Sequence, residues 1–162
     1  SHAIDTLRYV LDDEFVVVHC APRTVVQTRN DAAGVPHDCT AEDSLVASLT
    51  GRDHGTSVTI DSSFAATASI APRIVVQGSL GVAELVADRT MSVRFADGTR
   101  DTVEAPPVAP GGDPHLVAMQ RWAQRVRDAV ESGGAAPAVP TFTDGLAVAQ
   151  VLDDLRSGAP AH

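Results

Sequence analysis

A histidine, an aspartate and a tyrosine stand near the start of the chain at a spacing that suits acid–base chemistry. His2, Asp5 and Tyr9 fall on one side of a helix that advances about 100° per residue, so all three could reach one ligand. Histidine is the natural proton acceptor near neutral pH, and a neighbouring carboxylate orients its ring and supports the protonated form. The plainer alternative makes Ser1 and His2 tag residues and Asp5 a solvated first-turn acid that favours the helix dipole.

The remaining constellations are weaker. His19, Cys20, His37 and Cys39 contain metal-ligand types, yet adjacent residues on a strand point to opposite faces and no zinc-type pair spacing accompanies them. No metal is expected. Gly78 and Gly81 sit between strands and open no helix, so they do not form a phosphate cradle. Asp12, Asp13 and Glu14 fit a helix end and polar turn better than a cation site. The G-x-G-x-x-G nucleotide fingerprint and the G-x-S-x-G elbow are both absent. A self-contained hydrolase is therefore not expected.

The elements that must carry these residues follow from periodicity. Ile4, Leu7 and Leu11 make a helical stripe opposite His2 and Asp5. Residues 14–21 and 23–29 read as strands and 30–42 as a loop. Leu45, Ala47 and Leu49, then Val58, Ile60 and Phe64, alternate with polar residues around a turn at 51–55, which predicts an antiparallel pair with one face in a core. Residues 73–77, 83–87 and 90–96 form a third group, and Asp97-Gly98 marks a hairpin into residues 102–103. Asp113 and Pro114 should cap and open a long helix with Leu116, Met119, Ala123, Val126 and Val130 as a buried stripe. Thr141 and Asp144 make a capping box for a last helix, whose core face is Val148, Val151, Leu152 and Leu155. The expected fold is α+β: a mostly antiparallel, open-faced sheet with helices packed on one face, as a single domain over 1–162.

Composition bounds the function. With 162 residues, 44% apolar and 20% charged, the chain reads as globular. A net charge of −9, with all twelve basic residues arginine and scattered, argues against nucleic acid as a partner. No apolar run reaches the ~20 residues of a membrane span, so no membrane partner and a soluble, cytoplasmic setting are expected. Two cysteines are too few for a disulfide framework. Methionine occurs only at 91 and 119, so Ser1 is not a translation start and the chain reads as a piece of a longer polypeptide. Lysine is absent, which removes lysine chemistry from anything the chain does alone.

Three stretches resemble the carboxy-terminal domain of the glucose–fructose oxidoreductase, inositol dehydrogenase and MocA (Gfo/Idh/MocA) family. Ser1-His2-Ala3-Ile4-Asp5-Thr6-Leu7 is similar to the family's Gly-x-His-x-x-Asp-Leu helix start. Ile74-Val75-Val76-Gln77-Gly78-Ser79-Leu80-Gly81 is similar to its strand and Gly-x-x-Gly turn. Pro140-Thr141-Phe142-Thr143-Asp144-Gly145-Leu146 with Val151-Leu152-Asp153 resembles its closing helix, and Met119-Gln120-Arg121-Trp122-Ala123 fits the helix before it. The order covers nearly the whole chain.

The resemblance implies a parent enzyme whose upstream Rossmann domain, absent from this chain, binds NAD or NADP. No cofactor is then expected on this chain alone. It implies hydride transfer to or from a sugar, polyol or related hydroxy compound, with this domain shaping the substrate pocket and joining subunits of a homo-oligomer through its open sheet face. His2 matches the family histidine that contacts the reacting hydroxyl as acid or base, and Asp5 the acid near the substrate or helix start. The family lysine belongs to the missing domain, and an aspartate found in many members four residues before the histidine would precede Ser1. The alternative is a non-catalytic ligand-binding or regulatory protein of the same architecture. A third possibility is a free-standing interaction domain.

Overall fold

The computed structural model describes residues 2–107, 112–113, 115–133 and 139–158. Among the described residues the chain is α+β, and every strand pair is antiparallel. Residues 1–67 with 140–162 make one compact unit and residues 68–139 a second.

The first unit holds α1 (His2–Leu11), β1 (Phe15–Arg23), β2 (Thr28–Asn30), β3 (Pro36–Asp38), β4 (Ser44–Gly51), β5 (Ser57–Ser63) and, from the far end of the chain, a closing helix over Phe142–Ser157. Its main sheet has the order β1-β4-β5. The alternation around the turn at 51–55 puts Ala47 and Leu49 inside, and they form the core with Ile4, Phe15, Val17, Val148, Val151 and Leu155. Both helices thus cover one face of this sheet, and Leu7, Leu11, Val58, Ile60 and Leu152 pack around the margin. The opposite face carries exposed Val18 and Val46 among polar residues. Register slips between Val17 and His19, a bulge that restores Cys20 to the core side opposite Ala47 while His19 points away.

Pro22 lies inside β1, opposite Leu45; β1 is an edge strand, where a residue without an N–H breaks no ladder. The strand expected over 23–29 does not form as one element: β1 runs on through Arg23, and β2 begins at Thr28 and pairs with β3 inside the expected loop. A side chain holds that hairpin: Asp31 Oδ1 accepts the Ala33 and Val35 N–H groups at 2.9 Å. A second aspartate, Asp43, is buried and accepts the Val25 and Val26 N–H groups at 2.7 and 3.0 Å.

The second unit holds β6 (Arg73–Gly78), β7 (Gly81–Val86), β8 (Thr90–Phe95), β9 (Arg100–Glu104) and α2 (Leu116–Glu131); the closing helix is accordingly α3. Its strands form a meander in sequence order. Gly81 lies where a Cβ would stand 2.2 Å from the Arg94 carbonyl oxygen, a separation that only glycine allows. Two expectations for α2 are corrected. Its N-cap is His115 rather than Asp113, with no side-chain cap bond; Asp113 Oδ1 instead accepts the His115 N–H at 2.8 Å, and Pro114 lies outside the described residues. Its apolar stripe forms but is not buried: no α2 residue is buried, and Leu116, Met119, Trp122 and Val130 are all exposed. Periodicity fixes which side of a helix is apolar, and only a packed neighbour can cover it.

Candidate functional site

The two residues singled out for chemistry share the solvent face of α1. His2 and Asp5 are exposed, as is Tyr9, while Ile4 on the other side is buried. Ser1 lies outside the described residues. The helix is therefore amphipathic in the expected sense, and its polar face is available to a ligand or to another body of protein.

Arg8 links α1 to its neighbours. Its guanidinium, 11% exposed, donates Nε–H to Glu14 Oε2 at 2.8 Å and a second N–H to Glu14 Oε1. It also donates to the side chain and carbonyl of Asp144 at 3.3 and 3.4 Å, and Asp5 lies 3.9 Å away. One cation thus ties α1 to the entrance of β1 and the first turn of α3. The two-bond fork suits arginine, whose planar group matches a carboxylate. The Glu14 hydrogen bond raises the Arg8 pKa against a smaller opposing cost of burial, and Arg8 in turn holds the Glu14 carboxyl below its usual range. Asp144 is lowered first by Thr141, which donates both its hydroxyl and its N–H to Asp144 Oδ2 at 2.7 Å. The reciprocal bond from the Asp144 N–H to Thr141 Oγ1 completes the capping box.

Beside this cluster is a shallow cavity of about 180 Å³ lined by Glu14, Phe15, Arg52, Gln150, Val151 and Asp154. Drug-sized ligands need roughly 300–1,000 Å³, so the hollow alone is too small for a complete site. His2 is not among its lining residues. A second anchor lies at the same end of the sheet. Buried Asp13 accepts the Asp53 and His54 N–H groups at 2.9 and 3.1 Å, and the Asp53 bond is the main cause of its lowered pKa. A Cβ on Gly51 would stand 2.0 Å from the Asp13 carboxylate.

Among the described residues, no group of three or more His, Cys, Asp or Glu is arranged to hold a metal ion. His37 Nε2 lies 3.0 Å from Asp31 Oδ2, so its polar partner belongs to the hairpin turn; the two cysteines are unpaired. Also among the described residues, no helix is long and apolar enough to cross a membrane. The sequence reading missed Arg8, Glu14 and the cap residue's second role. Arg8 and Asp144 are separated by 136 positions, and Arg8 meets Glu14 only across the turn from α1 into β1, so no helical or strand periodicity marks either contact.

No protein-family model matches the chain, and no curated protein matches its sequence. Similarity appears at the level of solved structures. An oxidoreductase domain protein from Kribbella flavida superposes with a TM-score of 0.76 at 18% identity, covering 97% of this chain and 47% of that one. Levoglucosan dehydrogenase, solved with NADH and L-sorbose, gives 0.76 at 19% identity, with 98% and 47% coverage. The transcriptional regulator Gal80p from Kluyveromyces lactis gives 0.76 at 13% identity, with 97% and 41% coverage.

The fold is shared with all three.

Its α+β architecture agrees with the fold class expected from the sequence. The chain spans less than half the length of these solved structures.

Proposed function

We propose that this chain is the substrate-binding and oligomerisation domain of an NAD(P)-dependent oxidoreductase acting on a sugar, polyol or related hydroxy compound. The observation that carries this reading is the fold shared over 98% of the chain with a dehydrogenase solved with NADH and L-sorbose. In the proposal, an upstream Rossmann domain holds the nicotinamide, and the exposed polar face of α1 borders the pocket between the two. The cofactor carries the hydride; the protein positions substrate and moves the proton. His2 takes the hydroxyl proton as the substrate is oxidised and returns it in reduction, while Asp5, held near Arg8, contacts substrate or steadies the helix start. Arg8 is a positioning residue for that helix. The isolated chain is inactive, and homo-oligomers form through the open sheet face.

The test uses the whole parent protein with NAD or NADP and a panel of sugars and polyols, following nicotinamide absorbance. His2→Ala should lower kcat by roughly a hundredfold or more, the usual contribution of a positioned acid–base group. Undiminished turnover on the best substrate removes His2 from the mechanism. Tight dinucleotide binding by the 162-residue chain alone, measured by calorimetry, contradicts the domain assignment.

The likeness to Gal80p favours a second reading, in which the parent is a non-catalytic ligand-binding regulator of the same architecture. The sequence preceding Ser1 separates the two. A parent lacking both the glycine-rich dinucleotide turn and the family lysine supports regulation, and ligand binding without nicotinamide turnover would accompany it.

A further inference from the structure

Among the described residues, the strand β9 ends the second sheet, pairing with β8 on one side only, and all five of its residues are exposed. The Ala105 N–H donates to the Arg89 carbonyl at 2.7 Å and the Phe95 N–H to that of Thr99 at 3.0 Å. These bonds place the odd-numbered residues of β9 in the hydrogen-bonded pairs with β8. Antiparallel ladders alternate, so Arg100, Thr102 and Glu104 turn their backbone groups outward. Such an edge is a template for another strand unless something blunts it.

The side chains say which strand fits. Arg100 lies opposite Arg94 on β8, and Glu104 opposite Thr90. Like charges directly across a sheet repel, and among the described residues neither arginine has an ion-pair partner. At the other end of the strand, Glu104 accepts a bond from the Thr90 hydroxyl at 2.8 Å, which leaves its second oxygen free to accept. One end of the strand is therefore doubly positive and the other negative.

We infer that β9 pairs with β9 of a second copy of this chain, antiparallel about Thr102, joining the two four-stranded sheets into one of eight strands. That register sets Thr102 against its own counterpart and Arg100 against Glu104 at both ends, so each arginine doublet gains a carboxylate. The residues brought together are those whose backbone groups face outward, so the ladder and the charges agree on one alignment. Among the hydrogen bonds of the described residues, one occupies an outward-facing group: Asp101 Oδ1 accepts the Thr102 N–H at 2.8 Å, and pairing replaces that bond with one to the partner strand. The contact lies along the sheet edge, so it is separate from the open-face contact proposed above and does not depend on the oxidoreductase reading.

Sedimentation of the full chain over a range of concentrations tests this, with circular dichroism as the control for folding. Wild type should dimerise reversibly. Arg100→Glu alone and Glu104→Arg alone each set like charges at both ends and should weaken the dimer by roughly tenfold or more. The double exchange within one chain should restore it, and an equimolar mixture of the two single variants should form a heterodimer. Asp101→Ala, which removes the acceptor on the Thr102 N–H, should tighten association. A wild type that stays monomeric overturns the proposal. So do folded single variants that associate as tightly as wild type, or a folded double exchange that fails to recover.

Discussion

Replacing Arg8 by Met keeps the aliphatic stem and removes the cation that joins α1, β1 and α3. Two charge-assisted bonds to Glu14 and weaker contacts to Asp144 are lost. Charge-assisted bonds contribute about 1.5–3 kcal/mol each, but the carboxylates are 46% and 37% exposed, and solvent screening reduces that yield. The variant also avoids the cost of desolvating a guanidinium, and its thioether fills most of the vacated space. A net loss of about 2 kcal/mol follows, which for a unit of roughly a hundred residues lowers Tm by about 8–16 °C and less if both units melt together. The pH dependence has a definite sign. Glu14 and Asp144 are both held below their ordinary values, so their stabilisation is complete above the ordinary carboxylate range and is lost as pH falls through the lowered values. The gap between wild type and Arg8→Met should therefore close in acid. Arg8→Lys should recover less than half of it, since an ammonium cannot form the fork. Thermal melts followed by circular dichroism across pH provide the measurement. A variant melting within about 1 °C of wild type near neutral pH, or a gap unchanged by acid, refutes the account.

Two further outcomes follow from the first unit. Gly51→Ala should lower Tm because its methyl displaces the Asp13 carboxylate from the Asp53 and His54 N–H groups; combined with Asp13→Ala the losses should be less than additive, as a double-mutant cycle of melts would show. Thr141→Ala removes the acceptor of the α3 capping box and should cost about 1 kcal/mol by denaturant titration, with the Arg8 contact to Asp144 loosened as well.

Much of the scaffold was legible along the chain. Ile4, Leu7 and Leu11, the alternation through Ala47 and Leu49, the Asp97-Gly98 hairpin and the Thr141–Asp144 box all appear as read. Each is a pattern completed within a few residues, and local backbone geometry suffices to express it. The site was half legible: helical spacing placed His2 and Asp5 together on the exposed face of α1, but nothing nearby announced Arg8, Asp13 or Asp43 as anchors.

The sequence by itself determined the α+β class, the antiparallel meander and the polar face of the first helix, because those rest on periods of two and 3.6 residues. Only the tertiary structure decided that Arg8 reaches an aspartate 136 positions away, that Asp13 crowds Gly51, and that the stripe on α2 stays uncovered. It also aligned Arg100 beside Arg94 on an open edge. Those facts depend on which elements become neighbours, and pairing between distant segments is set by the packing of the whole chain rather than by any short run of residues.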